Sequence, residues 1–380
     1  VKKNMADADF TGAYLSGTDF TGANLDRATF YCADLRGANM HGASLIRADL
    51  RGASLRGANL RKANMEGTDL REGSLSSANS DGELKVAHEN LTVVDKGGAN
   101  LSGANLSEAK LAGAVAVGSN FSDATLKSAK ITKASLKDAN FSSANLKNAD
   151  LSGCDLENVI LQNAVLTGTA INLSEVSKEN LKGALTNVPI GLSTKDLPLP
   201  IEQMLISHKM WIESDGKQGK QLDVSGFDLR IGIDFGGAIL TLMKGKGAIL
   251  YELNFAKAQM QSAILIEADL RHAIFANADM RSSNFAKANL RNANLQGAQL
   301  QPLSLAGGNM LTTDMSGASL RYANLSKANL RHVKFTGADL CDADLRDSDI
   351  TNANFEGALL DGAQMTPEQV DLLKTVQKTR

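Results

Sequence analysis

The residues of this chain that could do chemistry are few, and they do not lie at the spacings that catalysis or metal binding needs. The 380 residues include five histidines and three cysteines. His332 and Cys341 are nine residues apart, which is too loose for a zinc site. No glycine-rich phosphate loop lies between a strand and a helix. The sequence therefore predicts no catalytic residue, no metal ligand and no cofactor.

Asn and Asp side chains are frequent, but they recur in one slot of a short repeat and do not form a cluster. Asn284, Asn289 and Asn294 illustrate the five-residue spacing. Asn and Asp tolerate unusual backbone angles and bond to nearby backbone groups. The fixed slot predicts a role at corners of the chain and argues against catalytic carboxylates.

Charge is the remaining feature that could serve a function. Lys and Arg number 40 and Asp and Glu number 42, so the net charge of −2 gives no general attraction to nucleic acid. The charged residues of 271–334 are mostly basic, and those of 339–361 are mostly acidic. This pattern predicts either a solvated surface or two oppositely charged faces that select a protein partner. The candidate contact residues there are Arg271, Arg291, Arg331, Asp339, Asp342, Asp344, Asp347 and Asp349.

The apolar residues indicate which elements must position these side chains. Every fifth residue from Leu250 to Met365 is large and apolar, and the residue two before it is usually Ala. Residues five apart in a helix point about 140° apart, and a strand alternates with period two. The pattern fits a chain that turns every five residues with both residues inward. Four such units would close a coil of about 20 residues, and stacked coils would satisfy their backbones mutually.

These repeats resemble those of the pentapeptide-repeat family. The runs that carry the resemblance are ADLRGANM (33–40), ADLRGASLRGANL (48–60), ANFSSANLKNADL (139–151) and ANLSKANLRHVKFTGADL (323–340). The resemblance implies an all-β fold, a right-handed quadrilateral β-helix. It also implies an alternative function, because some family members mimic DNA and bind type II topoisomerases.

A coil of about 20 residues also predicts which side chains share a column or the interior. Arg271, Arg291 and Arg331 would share one column, interrupted by Leu311. The predicted interior includes Leu290, Leu295, Leu325, Leu330, Phe335 and Leu340.

The array is interrupted twice, and the interruptions divide the chain. The predicted segments are repeats 1–78, a loop insertion 79–98, repeats 99–185, a Pro-containing insert 186–220, repeats 221–365 and a C-terminal helix 366–380.

The insert 186–220 departs most from the repeat, and it holds the only Trp. Pro198 and Pro200 precede a run with apolar residues at helical spacing. The members of this run are Ile201, Met204, Leu205, His208, Trp211 and Ile212. The helix would either cover the edge of a coil or present Trp211 and its neighbours to a partner or to a second copy.

The last segment is predicted to form a helix that caps the final coil. Thr366 is a good N-cap, Pro367 suits the first helical position and Gln369 completes a capping box. Val370 and Leu373 would form its apolar stripe.

Together these observations favour a non-enzymatic, rod-like scaffold that binds a protein partner through its outward faces. The alternative is a DNA mimic that regulates or protects a type II topoisomerase. Nucleic acid is not favoured as a partner, because aromatic residues make up only 4% of the chain and bases stack on such residues. No apolar run is long enough for a membrane span, and the scattered cysteines fit a bacterial cytoplasm.

Overall fold

The computed structural model describes residues 3–74, 98–230, 233–304 and 309–378. It divides into two compact units, an N-terminal unit of Val1–Val188 and a C-terminal unit of Pro189–Arg380. Each unit is built mainly from coils of the five-residue repeat, so each is described by itself.

Each repeat turns a corner directly after its central apolar residue. The carbonyl of the central residue accepts the N–H of the residue three later, as in Ala293 N–H to Leu290 O at 3.0 Å. The second residue after the centre lies in the left-handed region, with φ of 57° at Asn292. Gly and Asn adopt this region at little cost. The sequence predicted the corner at the position before the centre. The structure places the corner after the centre, and the side chain of the position before it accepts a backbone hydrogen bond from the turn. Asn294 Oδ1 accepts the N–H of Gln296 at 3.0 Å.

Parallel bridges join residues that are 20 apart along the chain. In the C-terminal unit Asn254 pairs with Ile274 and Ile274 pairs with Asn294. The bonds are short: Phe255 N–H donates to Ile274 O at 2.7 Å and Ile274 N–H to Leu253 O at 3.0 Å. Four repeats thus form one coil, and each coil is hydrogen-bonded to the next.

The central residues and the small residues two before them form the interior of each unit. Leu290, Leu295, Leu325, Leu330, Phe335 and Leu340 are all 0% exposed. Phenylalanines that share a column stack, with ring centroids 5.0 Å apart for Phe235–Phe255 and for Phe255–Phe275. The interior therefore holds one large and one small side chain per repeat.

The first interruption of the array leaves the pairing of coils intact. Asn59 pairs with Asn100 and Asn64 pairs with Asn105, so the partners are 41 residues apart instead of 20. The chain therefore rejoins the stack after the interruption. The loop assigned to 79–98 lies outside the described residues except for Gly98.

A third interruption is present in the C-terminal unit, where sequence analysis placed an unbroken array. Asn284 pairs with Asp314 and Asn289 with Ser319, which are 30 residues apart. A hairpin of β3 (Leu303–Ser304) and antiparallel β4 (Met310–Leu311) leaves the coil here. Met310 is 52% exposed, so its assignment as an inward residue is wrong. The ten extra residues equal two repeats, so the five-residue spacing continues unchanged and the sequence does not reveal the insertion. Leu305, another predicted inward residue, lies outside the described residues.

The remaining elements lie at the start and the end of the C-terminal unit and late in the N-terminal unit. Parallel β1 (Leu192–Ser193) pairs with β2 (Phe227–Asp228). Two short 3₁₀ helices span Leu173–Glu175 and Thr194–Asp196, and helix α1 spans Ile201–Glu213.

Helix α2 spans Pro367–Lys378. The N–H of Thr366 donates to Gln369 Oε1 at 2.8 Å, and the Gln369 amide donates to Leu345 O at 2.7 Å and to Ser348 O at 2.8 Å. Val370 is 38% exposed, so it does not belong to the inward stripe assigned to it; Gln369 is the buried contact.

Candidate interaction surface

Helix α1 is fixed on the first coil of the C-terminal unit by its apolar side. Pro200 precedes it, and Ile201 is 6% exposed in the core of this unit. Met204 and Leu205 are half-buried against the same core. The helix therefore covers a coil, and these residues of the predicted partner surface serve that contact.

His208 is fully buried, which corrects its assignment to an exposed surface. Its Nδ1 accepts the N–H of Leu222 at 3.0 Å, so a neutral ring carries its proton on Nε2. Burial lowers the pKa of His208 from its ordinary value, and the Thr241 backbone only partly opposes this. Trp211 stacks on His208 with centroids 5.9 Å apart, and Trp211 and Ile212 are half-buried.

The segment that follows α1 returns very close to the helix. The N–H of Lys220 donates to Ser207 Oγ at 3.0 Å. Gly219 makes this approach possible, because its φ is +76° and an added Cβ would overlap Ser207 O. The segment and the helix are thereby held together.

The outward side of α1 carries apolar residues that the sequence reasoning missed. Ile206 is 63% exposed and Met210 is 44% exposed, one turn apart on the helix. Lys209 and Glu213 beside them form an exposed ion pair at 3.7 Å. The signal in the sequence was an apolar residue at 206 and at 210, outside the inward stripe.

The hairpin of β3 and β4 changes which arginines share a column. The N–H of His272 donates to Arg291 O at 3.0 Å, and the N–H of Asn292 donates to Arg321 O at 3.0 Å. Arg271, Arg291 and Arg321 are therefore neighbours on successive coils, and we call them the arginine column. Arg331 does not belong to it, since Asn329 pairs with Gln299 on another side of the coil.

Arg271 is buried although it follows a central residue at an outward corner. Its side chain is 3% exposed and its Nη2 lies 2.5 Å from Asp269 Oδ2. Its guanidinium also lies 6.0 Å from the ring centroid of Tyr251, which is 3% exposed. Burial raises the pKa of Tyr251, so the phenol stays neutral. Arg271 stabilises the fold and cannot act as an accessible contact, which corrects its assignment.

The other two arginines of the column are more accessible. Arg291 Nη1 donates to Ser319 Oγ at 3.3 Å. The Arg321 side chain is 28% exposed and lies 3.7 Å from Asp339 and 3.8 Å from Asp342. The exposure of the arginine side chains therefore increases along the column, from Arg271 to Arg321.

The acidic residues of 339–361 do not form one face. Asp339, Asp344 and Asp349 occupy equivalent positions of three successive repeats, so they lie on three sides of one coil. Asp344 is 2.6 Å from Arg346 and Asp349 is 3.5 Å from Arg331. Asp342 is 5% exposed, whereas Asp347 is exposed. Of the two interpretations that the charge pattern left open, the one with two oppositely charged faces is wrong, because consecutive repeats point in different directions.

An arginine that follows an Asp by two residues pairs with that Asp, so the two charges compensate each other. Arg36 Nε donates to Asp34 Oδ1 at 2.8 Å and its Nη2 to Oδ2 at 2.7 Å. The same pairing occurs at Asp49–Arg51, Asp69–Arg71, Asp228–Arg230, Asp269–Arg271, Asp279–Arg281 and Asp344–Arg346. Arg291 follows Asn289 instead, so it has no carboxylate in this slot. The signal is readable in the sequence as D-L-R, or D-M-R at 279–281, against N-L-R.

These pairs predict that the repeats lose stability in acid. The hydrogen bond from Arg36 lowers the pKa of Asp34 against partial burial, and that from Arg51 lowers the pKa of Asp49 in the same way. The unfolded chain therefore takes up protons first, so the stabilisation is complete above the ordinary Asp range and is lost as pH falls through the lowered pKa values.

Urea titrations from about pH 5 to about pH 2.5 should show a falling unfolding midpoint. The matched variant Asp34→Asn should flatten part of this fall. A midpoint that stays constant over the same range would contradict the assignment of these pairs.

No group of His, Cys, Asp and Glu within the described ranges is arranged to hold a metal ion. In the same parts of the chain, no helix combines the length and the apolarity that crossing a membrane requires.

A family model described as pentapeptide repeats matches more than half of the chain. The matched ranges are 4–42, 38–76, 99–138, 139–174, 263–301, 304–337 and 323–366. The chain belongs to the pentapeptide-repeat family, as the A-D-L and A-N-L runs indicated.

Solved structures of pentapeptide repeat proteins are also similar to the chain. HetL of the cyanobacterium Nostoc, involved in the regulation of heterocyst differentiation, is 21% identical; the match covers 96% of this chain and 92% of HetL, with a TM-score of 0.14. A thylakoid-lumen protein of Arabidopsis thaliana is 26% identical over 36% of this chain and 67% of its own, with a TM-score of 0.19.

QnrB1, a plasmid-mediated fluoroquinolone resistance protein, is 12% identical over 93% of each chain, with a TM-score of 0.13. TM-scores this low do not indicate a close superposition, so the functions of these proteins are not assigned to this chain. No curated protein matches the chain significantly.

Proposed function

We propose that this protein is a non-enzymatic scaffold that binds a protein partner through outward side chains held on rigid coils. The observation that carries the proposal is the exposed apolar pair Ile206 and Met210 on the outward side of α1. The opposite side of the same helix is fixed by Ile201 and His208, so the pair is presented in one orientation.

The surroundings of this pair resemble a protein contact site. Apolar side chains with a polar rim are typical of protein interfaces, where a few anchors supply most of the affinity. Lys209 and Glu213 supply such a rim. A second copy of the chain would satisfy the same chemistry as an unrelated partner.

Site-specific photo-crosslinking in the native cell tests this function. A benzoylphenylalanine at position 206 should give one dominant protein adduct, because Ile206 is exposed on a fixed helix. The control position is Thr336, which is exposed at a coil corner of the same unit. Equal adducts at both positions, or none at 206, would refute the proposal.

We also infer that the coils form the right-handed, quadrilateral β-helix that the family resemblance implies. The bridges at 20 residues and the left-handed φ that recurs two residues after centres such as Leu290 support this inference. On this basis we propose that the predicted segments 1–78, 99–185 and 221–365 consist of such coils within their described residues, with the last one interrupted by the hairpin of β3 and β4. We further propose that 186–220 is an insert and that the helix Pro367–Lys378 caps the last coil, whereas the predicted loop at 79–98 lies outside the described residues except for Gly98.

The DNA-mimic alternative needs a continuous acidic surface without compensating cations. Asp339, Asp344 and Asp349 lie on different sides of a coil, and each has an arginine within 4.0 Å. These residues therefore do not favour a topoisomerase as the partner.

We place the protein in a reducing compartment such as the bacterial cytoplasm. Cys32, Cys154 and Cys341 are all unpaired. Cys154 donates to Ile131 O at 2.9 Å, and burial raises the pKa of its thiol. Such a thiol packs as a small side chain and reacts poorly.

A further inference from the structure

We propose that a pocket beside α1 binds a small molecule with an apolar chain and a carboxylate head. The pocket has a volume of about 440 Å³ and belongs entirely to the C-terminal unit. Small-molecule sites usually measure about 300–1,000 Å³. Its lining residues are Pro198, Leu199, Met204, Ser207, Lys220, Gln221, Leu222 and Asp223. The proposal is independent of the scaffold function.

One part of the lining favours an apolar chain. Pro198, Leu199, Met204 and Leu222 contribute apolar side chains. Leu199 is 48% exposed, so apolar surface there faces solvent. Leu222 is 1% exposed and joins the core of the unit. An apolar ligand would remove this surface from water, which is the usual source of affinity in such pockets.

The other part of the lining favours an anion over a cation or a neutral head. Ser207 Oγ already accepts the N–H of Lys220 at 3.0 Å, so its own proton is available to donate. Among the residues that the structure describes, the Lys220 ammonium forms no ion pair. A ligand carboxylate between them would accept a hydrogen bond from Ser207 and pair with Lys220.

Asp223 and Gln221 of the lining each also form a hydrogen bond within the fold. Asp223 Oδ1 accepts the N–H of Ser225 at 3.0 Å. The Gln221 amide donates to Leu242 O at 2.6 Å. The negative charge of Asp223 limits the head of the ligand to one negative charge, because a dianion would be repelled more strongly.

The pocket is preformed, and a fluorescent side chain close to it can report on binding. His208 holds Leu222, and Ser207 holds Lys220, so both walls are fixed without a ligand. Trp211 is the only Trp of the chain and lies one helical turn beyond Ser207. Its stacking on His208 makes its fluorescence sensitive to changes at this helix.

Titration of the full chain with decanoate below its micelle concentration tests the proposal. We expect a saturable change of Trp211 fluorescence with one site per chain by calorimetry. Lys220→Ala should weaken decanoate binding up to about fivefold, the effect of one exposed charge pair, and should leave decanol binding unchanged. Asp223→Asn should tighten decanoate binding, because it keeps the acceptor for Ser225 and removes the repelling charge.

The matched control is Lys217→Ala, since Lys217 is exposed in the same segment but does not line the pocket. It should bind decanoate like the unmodified chain. Two results would overturn the proposal: no saturable decanoate binding by the unmodified chain, or equal affinities of the Lys220→Ala and Lys217→Ala variants. Neither result bears on the crosslinking at position 206, so the two proposals fail separately.

Discussion

Leu290→Asp should destabilise the C-terminal unit by about 2.5–6 kcal/mol, a large part of the stability of an ordinary domain. Leu290 is 0% exposed, between coils that contribute Leu270 and Leu320 at the equivalent positions. The change loses about 1.5–3 kcal/mol of apolar burial. It also leaves a carboxyl group without partners, which costs about 1–3 kcal/mol more. Urea unfolding followed by circular dichroism measures the loss.

The control for this change introduces the same residue one position earlier. Asn289→Asp lies on the outward side and creates a D-L-R unit with Arg291, like Asp269 with Arg271. We expect the free energy of unfolding to stay within about 1 kcal/mol, as for exposed pairs. Similar losses for the two variants would show that residue 290 does not point inward.

Arg271→Met should lower the free energy of unfolding by about 3 kcal/mol, the low end for breaking a buried ion pair. Arg271 is 3% exposed and its partner Asp269 is 18% exposed. Methionine preserves much of the packing along the side-chain stem. The loss therefore reports mainly on the carboxylate left without its cation, together with the contact to Tyr251. Urea midpoints at neutral pH provide the measurement.

Arg281→Met is the matched control, because it breaks the same motif where water is present. The side chains of Arg281 and Asp279 are 34% and 24% exposed. Asp279 also keeps the amide of Gln261 at 2.6 Å. We expect a loss below about 1 kcal/mol. Equal losses of the free energy of unfolding at 271 and 281 would mean that burial does not make the Arg271–Asp269 pair more stabilising than the exposed pair.

The five-residue period could be predicted because the interior allows so little variation. A centre such as Leu295 or Phe335 meets its equivalent in the coils before and after it, so each coil must supply a residue of similar size. A composition poor in aromatics and the position of the only Trp follow from the same restriction. The start of α1 after Pro200 was also readable, because Pro removes backbone N–H groups that the first helical turn does not need.

The outward features were harder to predict, because they depend on which coils are neighbours. The hairpin of β3 and β4 keeps the phase of the repeat, so Arg331 had the spacing of a column that it does not join. Burial of Arg271 depends on Tyr251 in the preceding coil, which no local pattern reveals. His208 had helical spacing on the apolar side, but its bond to Leu222 required the return of the chain after Gly219.

The hairpin of β3 and β4 affects the buried residues of the coils and their outward residues differently. Looping out ten residues leaves every later central residue in phase, while it moves each later outward residue half-way around the coil relative to the preceding ones. A loop of five residues would move them by a quarter. Insertions in whole repeats can thus re-aim an entire set of surface charges without altering a single buried side chain, and such a chain can acquire a new recognition surface by changing its length.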